Sequence, residues 1–366
     1  MTGTRLVLKV GSSLLVAPDG SLRRDWLASL VADIAAERAA GTDVCVVSSG
    51  AIALGARRLG LPRGGRASLE DAQAAAATGQ VLLAALWAEL LSQHGLTAAQ
   101  MLVTLDDLED RRRYLNASAT LSRLFGLGVV PVVNENDSVA TEEIRFGDND
   151  RLAARVAQAA QAHEVLLLSD VAGLHDRDPN ADPAARLIAE VETIDDRVLG
   201  FASGRTGSGM GSGGMASKLE AARIATAAGI PLAIAAGAGD HPLAAWRAGG
   251  PGTRFRARPG AAPRKTWLAG RLTVKGRIGI DAGACAALAA GNSLLARGAT
   301  AVDGRFARGD PVDIVHGDRA VARGLSEYDA ADAARILGLH RDEQAAVLGY
   351  APRAALVHRD HLVLLR

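Results

Sequence analysis

Lysine is scarce in this sequence. Of 41 lysine and arginine side chains, only Lys9, Lys218, Lys265 and Lys275 are lysines. Aromatic residues make up 3% of the 366 positions, and there are two cysteines. Cys45 and Cys285 lie far apart, which excludes a disulfide framework and any zinc-ligand spacing. Cys45 falls in the apolar run Val44-Cys45-Val46-Val47, where a small buried residue is expected. Charge of one sign is not in excess: 41 basic against 40 acidic side chains leave +1. That balance offers no overall attraction to nucleic acid or a membrane surface. No run of about 18 apolar residues free of charge suggests a membrane span. A strand opens almost at the N-terminus, where a signal peptide would need a basic and then an apolar segment. These absences lead us to expect a cytoplasmic protein with no membrane partner.

What is present is a 49% apolar chain rich in alanine and glycine, long enough for two or three domains. Short apolar runs predict strands at Arg5–Val10, Asp43–Ser48, Gln100–Leu105, Val129–Asn134, Glu164–Asp170 and Pro231–Ala236. Alanine-rich stretches between them predict helices at Asp25–Ala40, Leu69–His94, Tyr114–Phe125, Asp150–Ala162 and Met215–Ala228. Several stop at glycine (Gly41, Gly95, Gly126, Gly229), as left-handed C-terminal caps do. Continuous apolar strands alternating with helices predict an α/β fold, a mostly parallel sheet sandwiched by helices. Ligands of such sheets bind beyond the carboxyl ends of the strands. After Gly250 the pattern changes. Thr253–Lys265 is rich in arginine, proline and glycine and reads as a linker or edge segment. From about Trp267 short strand-like pieces and turns predict a small β-rich domain, with helices near Ala282–Ala290 and Ala330–Leu337.

The polar loops that follow strands carry the chemistry. Gly11-Ser12-Ser13 and Ser48-Ser49-Gly50-Ala51 offer backbone N–H groups and hydroxyls to an anion, as do many ordinary turns. Gly204–Ser217 holds six glycines and three serines in 14 residues and leads into Lys218 near a helix start. That layout suits a nucleotide phosphate, and a plain surface loop has the same composition. It is not a Walker A loop. Two of the four lysines, Lys9 and Lys218, thus sit beside glycine-rich turns. Lysine is a mobile point charge, for which the planar guanidinium of arginine is no general substitute. Asn134-Glu135-Asn136-Asp137 ends one strand, and Asp148-Asn149-Asp150 opens a helix, where an N-cap is the alternative reading. Together they suit a polar small molecule with an ammonium group.

These stretches resemble the amino acid kinase family over nearly the whole chain. The most specific pieces are Val47–Ala53, Gln100-Met101-Leu102, Val132–Asp137, Phe146–Asp150 and Gly211–Lys218. Leu295–Gly298 and Phe306–Asp310 are similar to the PUA domain appended to many bacterial members. The resemblance implies an amino acid kinase domain over 1–255, a linker over 256–270, a PUA-like domain over 271–350 and a C-terminal extension over 351–366. It implies transfer of the γ-phosphoryl of ATP to the side-chain carboxylate of L-glutamate, with Mg²⁺ carried by ATP, in the first step toward proline. It also implies restraint by proline and assembly into a homo-oligomer.

Carried over by position, the resemblance puts Lys9 and Lys218 at the transferring phosphoryl with Asp150 holding both. Ser49, Asp137 and Asn149 are implied to bind glutamate, with Asn134 and Asp148 nearby. Ser169, Asp170, Ser212, Gly213, Gly214, Met215, Ala216, Ser217 and Lys218 are implied to line the ATP site. No dedicated protein ligand set for a metal is expected. His175 and Asp176 stand where many members have tyrosine and threonine, which leaves the adenine side open. A second reading, RNA binding through the tail domain, is disfavoured because residues 271–350 carry ten basic and ten acidic side chains. A third is another amino acid kinase, of acetylglutamate or aspartate type; Asp137 argues against an acylated amine by suiting a free ammonium.

Overall fold

The structure, a computed structural model, describes residues 3–17, 21–139, 149–179, 181–202, 214–257 and 274–365. The chain divides into two compact units, Met1–Pro259 and Gly260–Arg366.

The first unit is built on an eight-stranded sheet. Its strands are β1 (Arg5–Val10), β2 (Asp43–Ser48), β3 (Ala98–Val103), β4 (Val130–Glu135), β5 (Glu164–Ser169), β6 (Glu190–Val191), β7 (Leu232–Ala236) and β8 (Gly252–Phe255). Their order is β3-β4-β2-β1-β5-β7-β8-β6. All neighbours pair in parallel except β7 and β8, which are antiparallel. The helices are α1 (Ser12–Leu15), α2 (Arg24–Ala39), α3 (Ala51–Leu59), α4 (Leu69–Ser92), α5 (Leu105–Glu109), α6 (Arg111–Gly126), α7 (Asn149–Ala160), α8 (Asp196–Gly200), α9 (Met215–Ala227) and α10 (Pro242–Arg247).

Side chains of a strand alternate between the two faces of its sheet. In β1, Leu6, Leu8 and Val10 enter a core shared with α2, α4 and α10, while Val7 enters the core shared with α6, α7 and α9. Lys9 follows the parity of Val7, so it sits on the α7/α9 face one residue before the end of its strand. In β2, Val44 and Val46 face the α2/α4 core, which puts Ser48 on that side. Val130 and Val132 do the same for Asn134 in β4. The two-residue period thus assigns the lysine to one face and Ser48 and Asn134 to the other.

Several boundaries differ from the sequence-based expectations for local reasons. The third strand ends at Val103, not Leu105, because Thr104 opens α5 with a capping box. Thr104 Oγ1 accepts from Asp107 N at 3.1 Å, and the Asp107 carboxylate accepts from Thr104 N at 2.8 Å. Gly126 closes α6 from within, and Gly128 carries the left-handed conformation (φ +73°). Thr253-Arg254-Phe255, expected as linker or edge, forms most of β8, with Phe255 buried. The expectation of no membrane-length apolar run is corrected by α4. By length and composition it could cross a membrane, with a mean hydropathy of 1.5 over 18 residues. Half of that window is buried within the protein, and Leu83, Trp87, Leu90 and Leu91 are core residues.

The helix α3, absent from the expectations, crosses α4 at backbone contact. A Cβ on Gly55 would stand 1.8 Å from Ala75 O, and one on Gly79 would stand 1.8 Å from Ala51 O. Only glycine fits at either position. Gly50 ahead of α3 adopts φ +104°, which turns the chain sharply from β2 into the helix.

The second unit has a five-stranded sheet, β10-β9-β11-β12-β13, of β9 (Gly276–Ile280), β10 (Ala299–Gly304), β11 (Pro311–His316), β12 (Arg319–Leu325) and β13 (Leu362–Leu364). Helices lie at Ala282–Ala289, Ala330–Arg335 and Arg341–Leu348. Ile278, Val312, Ile314, Ala322 and Leu356 are among its fully buried residues. Residues beyond 350 belong to this fold, since β13 pairs antiparallel with β12.

The α3/α4 crossing makes a direct prediction. Gly79→Ala and Gly55→Ala each force the helices apart and should destabilise the protein by about 2 kcal/mol or more. Urea or thermal unfolding measures this, and wild-type stability in both variants would contradict a contact this close.

Candidate active site

A buried ion triad stands at the end of β1. Lys9 Nζ lies 2.6 Å from Asp150 Oδ1, and Lys218 Nζ lies 3.1 Å from Asp150 Oδ2. Lys9, Asp150 and Lys218 are 7%, 1% and 5% exposed. Asp150 comes from the first turn of α7, and Lys218 from the first turn of α9. Ser217 Oγ adds a longer contact to Asp150 Oδ2 at 3.4 Å. Burial works to raise the Asp150 pKa. The two ammonium charges and their hydrogen bonds outweigh it and hold the carboxyl below its usual range. Two ammonium groups gathered on one carboxylate make this strand end electropositive, and positive charge held at low exposure favours an anion beside it.

The surroundings fit an anion. A Cβ placed on Gly11 would stand 3.8 Å from Lys9 Nζ and 3.9 Å from Ser13 Oγ, so the Gly11-Ser12-Ser13 turn borders the ammonium. Gly214 caps α9 in an extended conformation, with Met215 buried and Ala216 exposed behind it. The first N–H groups of a helix attract negative charge. Ser169 Oγ donates to Asp170 Oδ1 at 3.1 Å at the end of β5, on the α7/α9 face by the parity of Val165 and Leu167.

A second group of polar side chains forms on the α4 side. Asn149 Nδ2 lies 2.7 Å from Ser49 Oγ, 3.1 Å from Asn134 Oδ1 and 3.3 Å from Ser48 O. Asn134 Nδ2 in turn donates to Gln80 Oε1 at 2.7 Å. Trp87 Nε1 donates to Ser48 Oγ at 3.0 Å. Asn149 Oδ1 is buried and has no hydrogen-bond partner among the described residues. Asp137 lies in a single 3₁₀ turn after β4. Burial pushes its carboxyl up to about 6, against a smaller opposing pull from the Arg66 guanidinium.

The structure therefore brings Lys9, Asp150, Lys218 and Ser217 together, and joins Asn149 to Ser49 and Asn134 by hydrogen bonds. Adjacent positions in α7, Asn149 and Asp150, link the two groups. Asp148, Ser212 and Gly213 lie outside the described residues, as does Lys265. Lys275 is exposed, as a surface lysine of the second unit. Sequence reasoning missed Gln80 and Trp87. They are seven residues apart, two turns on one face of α4, and the available signal was a glutamine on the apolar stretch of an alanine-rich helix whose other glutamine is Gln73. Among the described residues no group of three or more His, Cys, Asp or Glu side chains could hold a metal ion.

Comparison with known proteins gives the class. The profile of the amino acid kinase family matches residues 4–236, and that of the PUA domain matches residues 276–348. The chain belongs to the amino acid kinase family. It is 66% identical over 362 residues to the glutamate 5-kinase of Sphingopyxis alaskensis, covering 99% of this chain and 97% of that protein. It is 61% identical over 365 residues to the glutamate 5-kinase of Novosphingobium aromaticivorans, covering 100% and 97%. Among solved structures, a carbamate kinase from Giardia lamblia bound to AMP-PNP shares the fold. Its TM-score is 0.50 at 15% identity, over 70% of this chain and 99% of that one.

The Asp137 environment sets a pH dependence. Its carboxylate is the form that holds an ammonium group, and that form is lost as pH falls through about 6. For an amino acid substrate, kcat/KM should decline on the acid side of that value, and Asp137→Asn should remove the decline along with most of the affinity. A flat profile from about pH 5 to about pH 7 in the unaltered protein would contradict this assignment.

Proposed function

We propose that this chain transfers the γ-phosphoryl group of ATP to the side-chain carboxylate of L-glutamate, giving L-glutamyl 5-phosphate and ADP, the first step of proline biosynthesis. The observation that carries the reading is the Lys9–Asp150–Lys218 triad at the carboxyl end of the central strand. Close relatives that are glutamate 5-kinases over nearly their full length support it.

The chemistry asks little of acid–base groups. A glutamate side chain has an ordinary pKa of about 4.3, so the attacking oxygen is already ionised at neutral pH. No general base is needed. The obstacle is bringing a carboxylate up to a polyanion, and a loose phosphoryl-transfer transition state is helped chiefly by positioning and by charge neutralisation. In this reading the carboxylate oxygen bonds to the γ-phosphorus as the bond to the β–γ bridging oxygen breaks. Lys9 and Lys218 neutralise the oxygens of the group in flight, and Asp150 keeps both ammonium groups at one point. Ser49, Asn149 and Asp137 hold the amino acid, with Asn134 and Asp148 beside them. Ser169, Asp170 and 212–218 hold the nucleotide. If Mg²⁺ accompanies ATP, it would add charge neutralisation at the phosphates, since the ion usually keeps water and phosphate ligands in place of a dedicated protein set.

The same reading includes inhibition by proline, assembly into a homo-oligomer and a cytoplasmic setting. The resemblance to the glutamate 5-kinases supports all three. RNA binding by the second unit stays disfavoured on its charge balance. An acylated amino acid as substrate is disfavoured by Asp137, whose carboxylate suits a free ammonium.

Lys9→Ala and Lys218→Ala should each lower kcat by roughly a hundredfold or more, as loss of transition-state charge stabilisation does. A coupled ADP-release assay measures this, and near-normal turnover in both would remove the triad from the mechanism. In the same assay glutamate should outperform N-acetylglutamate and aspartate, and the reverse order would overturn the substrate.

A further inference from the structure

The polar network on the α4 side has a direction that can be worked out. Amide nitrogen and oxygen are told apart by what they face. Ser48 O is a backbone carbonyl and only accepts, so the Asn149 atom 3.3 Å from it is the nitrogen. The Asn134 atom 3.1 Å from that nitrogen must then be an oxygen. Asn134 consequently turns its own nitrogen to Gln80, which must answer with its oxygen, at 2.7 Å. All three amides are buried, with Asn134, Asn149 and Gln80 at 1%, 7% and 8% exposure. Water therefore cannot readily substitute for a lost partner. The end of the relay is Asn149 Oδ1, a buried acceptor with no partner among the described residues.

We infer that Gln80 is a positioning residue for substrate selection. By accepting from Asn134 it holds Asn134 Oδ1 against Asn149 Nδ2, and so keeps Asn149 Oδ1 turned out as an acceptor. An outward acceptor selects a donor, and the donor on an amino acid is its α-ammonium. Asn149 Oδ1 and the Asp137 carboxylate then receive the ammonium together, one by hydrogen bond and one by charge. With Asn134 released, its amide is free to rotate, and Asn149 keeps only its contacts with Ser48 O and Ser49 Oγ to hold its amide in place. Gln80 touches neither substrate nor nucleotide in this account. The neighbouring Gly79 packs this turn of α4 against the α3 backbone, which limits how far the turn can shift.

The inference rests on the reading that glutamate is the substrate, and the test separates the two. Glutarate carries the reacting carboxylate without the ammonium. The unaltered protein should phosphorylate glutamate far better than glutarate; equal use of the two would overturn the substrate reading itself. Gln80→Met removes the acceptor at similar length. It should raise KM for glutamate by about tenfold to a hundredfold, with kcat/KM for glutarate and KM for ATP nearly unchanged. Gln80→Glu keeps an accepting oxygen toward Asn134 and should stay within about threefold of the unaltered KM. If Gln80→Met kept the unaltered preference for glutamate, or lost glutamate and glutarate activity by one common factor, the relay would be wrong. If Gln80→Met fails to fold, Gln80→Ala is read the same way: lost discrimination between glutamate and glutarate supports the relay, and unaltered discrimination in a folded protein overturns it.

Discussion

The two contacts that Asp150 makes, 2.6 Å to Lys9 and 3.1 Å to Lys218, tie three distant parts of the chain to one point. A strand end, the start of α7 and the start of α9 meet there. Each lysine alone would be expensive to bury, and the pair would repel. The carboxylate makes the arrangement tolerable. In the proposed mechanism binding and catalysis both follow from the two ammonium groups: a polyanion would be drawn to them, and a group that gains equatorial charge during transfer would be stabilised by charges already in place, with little reorganisation needed.

The polar network proposed to hold the acceptor lies on the opposite face of the sheet. Gly55 and Gly79 bring α3 and α4 into backbone contact. From α4, Trp87 reaches Ser48 and Gln80 reaches Asn134. Asn149 and Asp150, neighbours at the start of α7, join the two systems, one pointing into the amide network and the other into the triad. The sheet's period of two makes this division possible, since Lys9 and Asn134 end their strands with opposite parity.

Much of this was legible from residues alone. Continuous apolar strands predicted the parallel sheet, and β1 and β2 fall at the expected residues because each is bounded by polar or glycine positions. The gathering of Lys9, Asp150 and Lys218 was implied only through family resemblance, since nothing in local sequence says that residues 9, 150 and 218 meet. The short helix α3 was obscured because Ala51–Leu59 follows a Ser-Ser-Gly turn that reads as loop. Thr104 ended a strand early through a capping box that alternation of apolar residues does not reveal. Gln80 stood out only as a polar residue in an apolar helix, because its role depends on a partner, Asn134, 54 residues away. The antiparallel β8 was read as linker or edge because arginine, proline and glycine dominate the segment that begins with it.

If Lys9 and Lys218 act on one phosphoryl group while Asp150 holds them, a crystal structure with glutamate and a non-hydrolysable ATP analogue will show it. Both Nζ atoms should lie about 3 Å from oxygens of the γ-phosphoryl group, with Asp150 still touching both and the glutamate ammonium at Asp137 and Asn149 Oδ1. A γ-phosphoryl group bound away from either lysine, or a triad that comes apart when the ligands bind, would contradict that role.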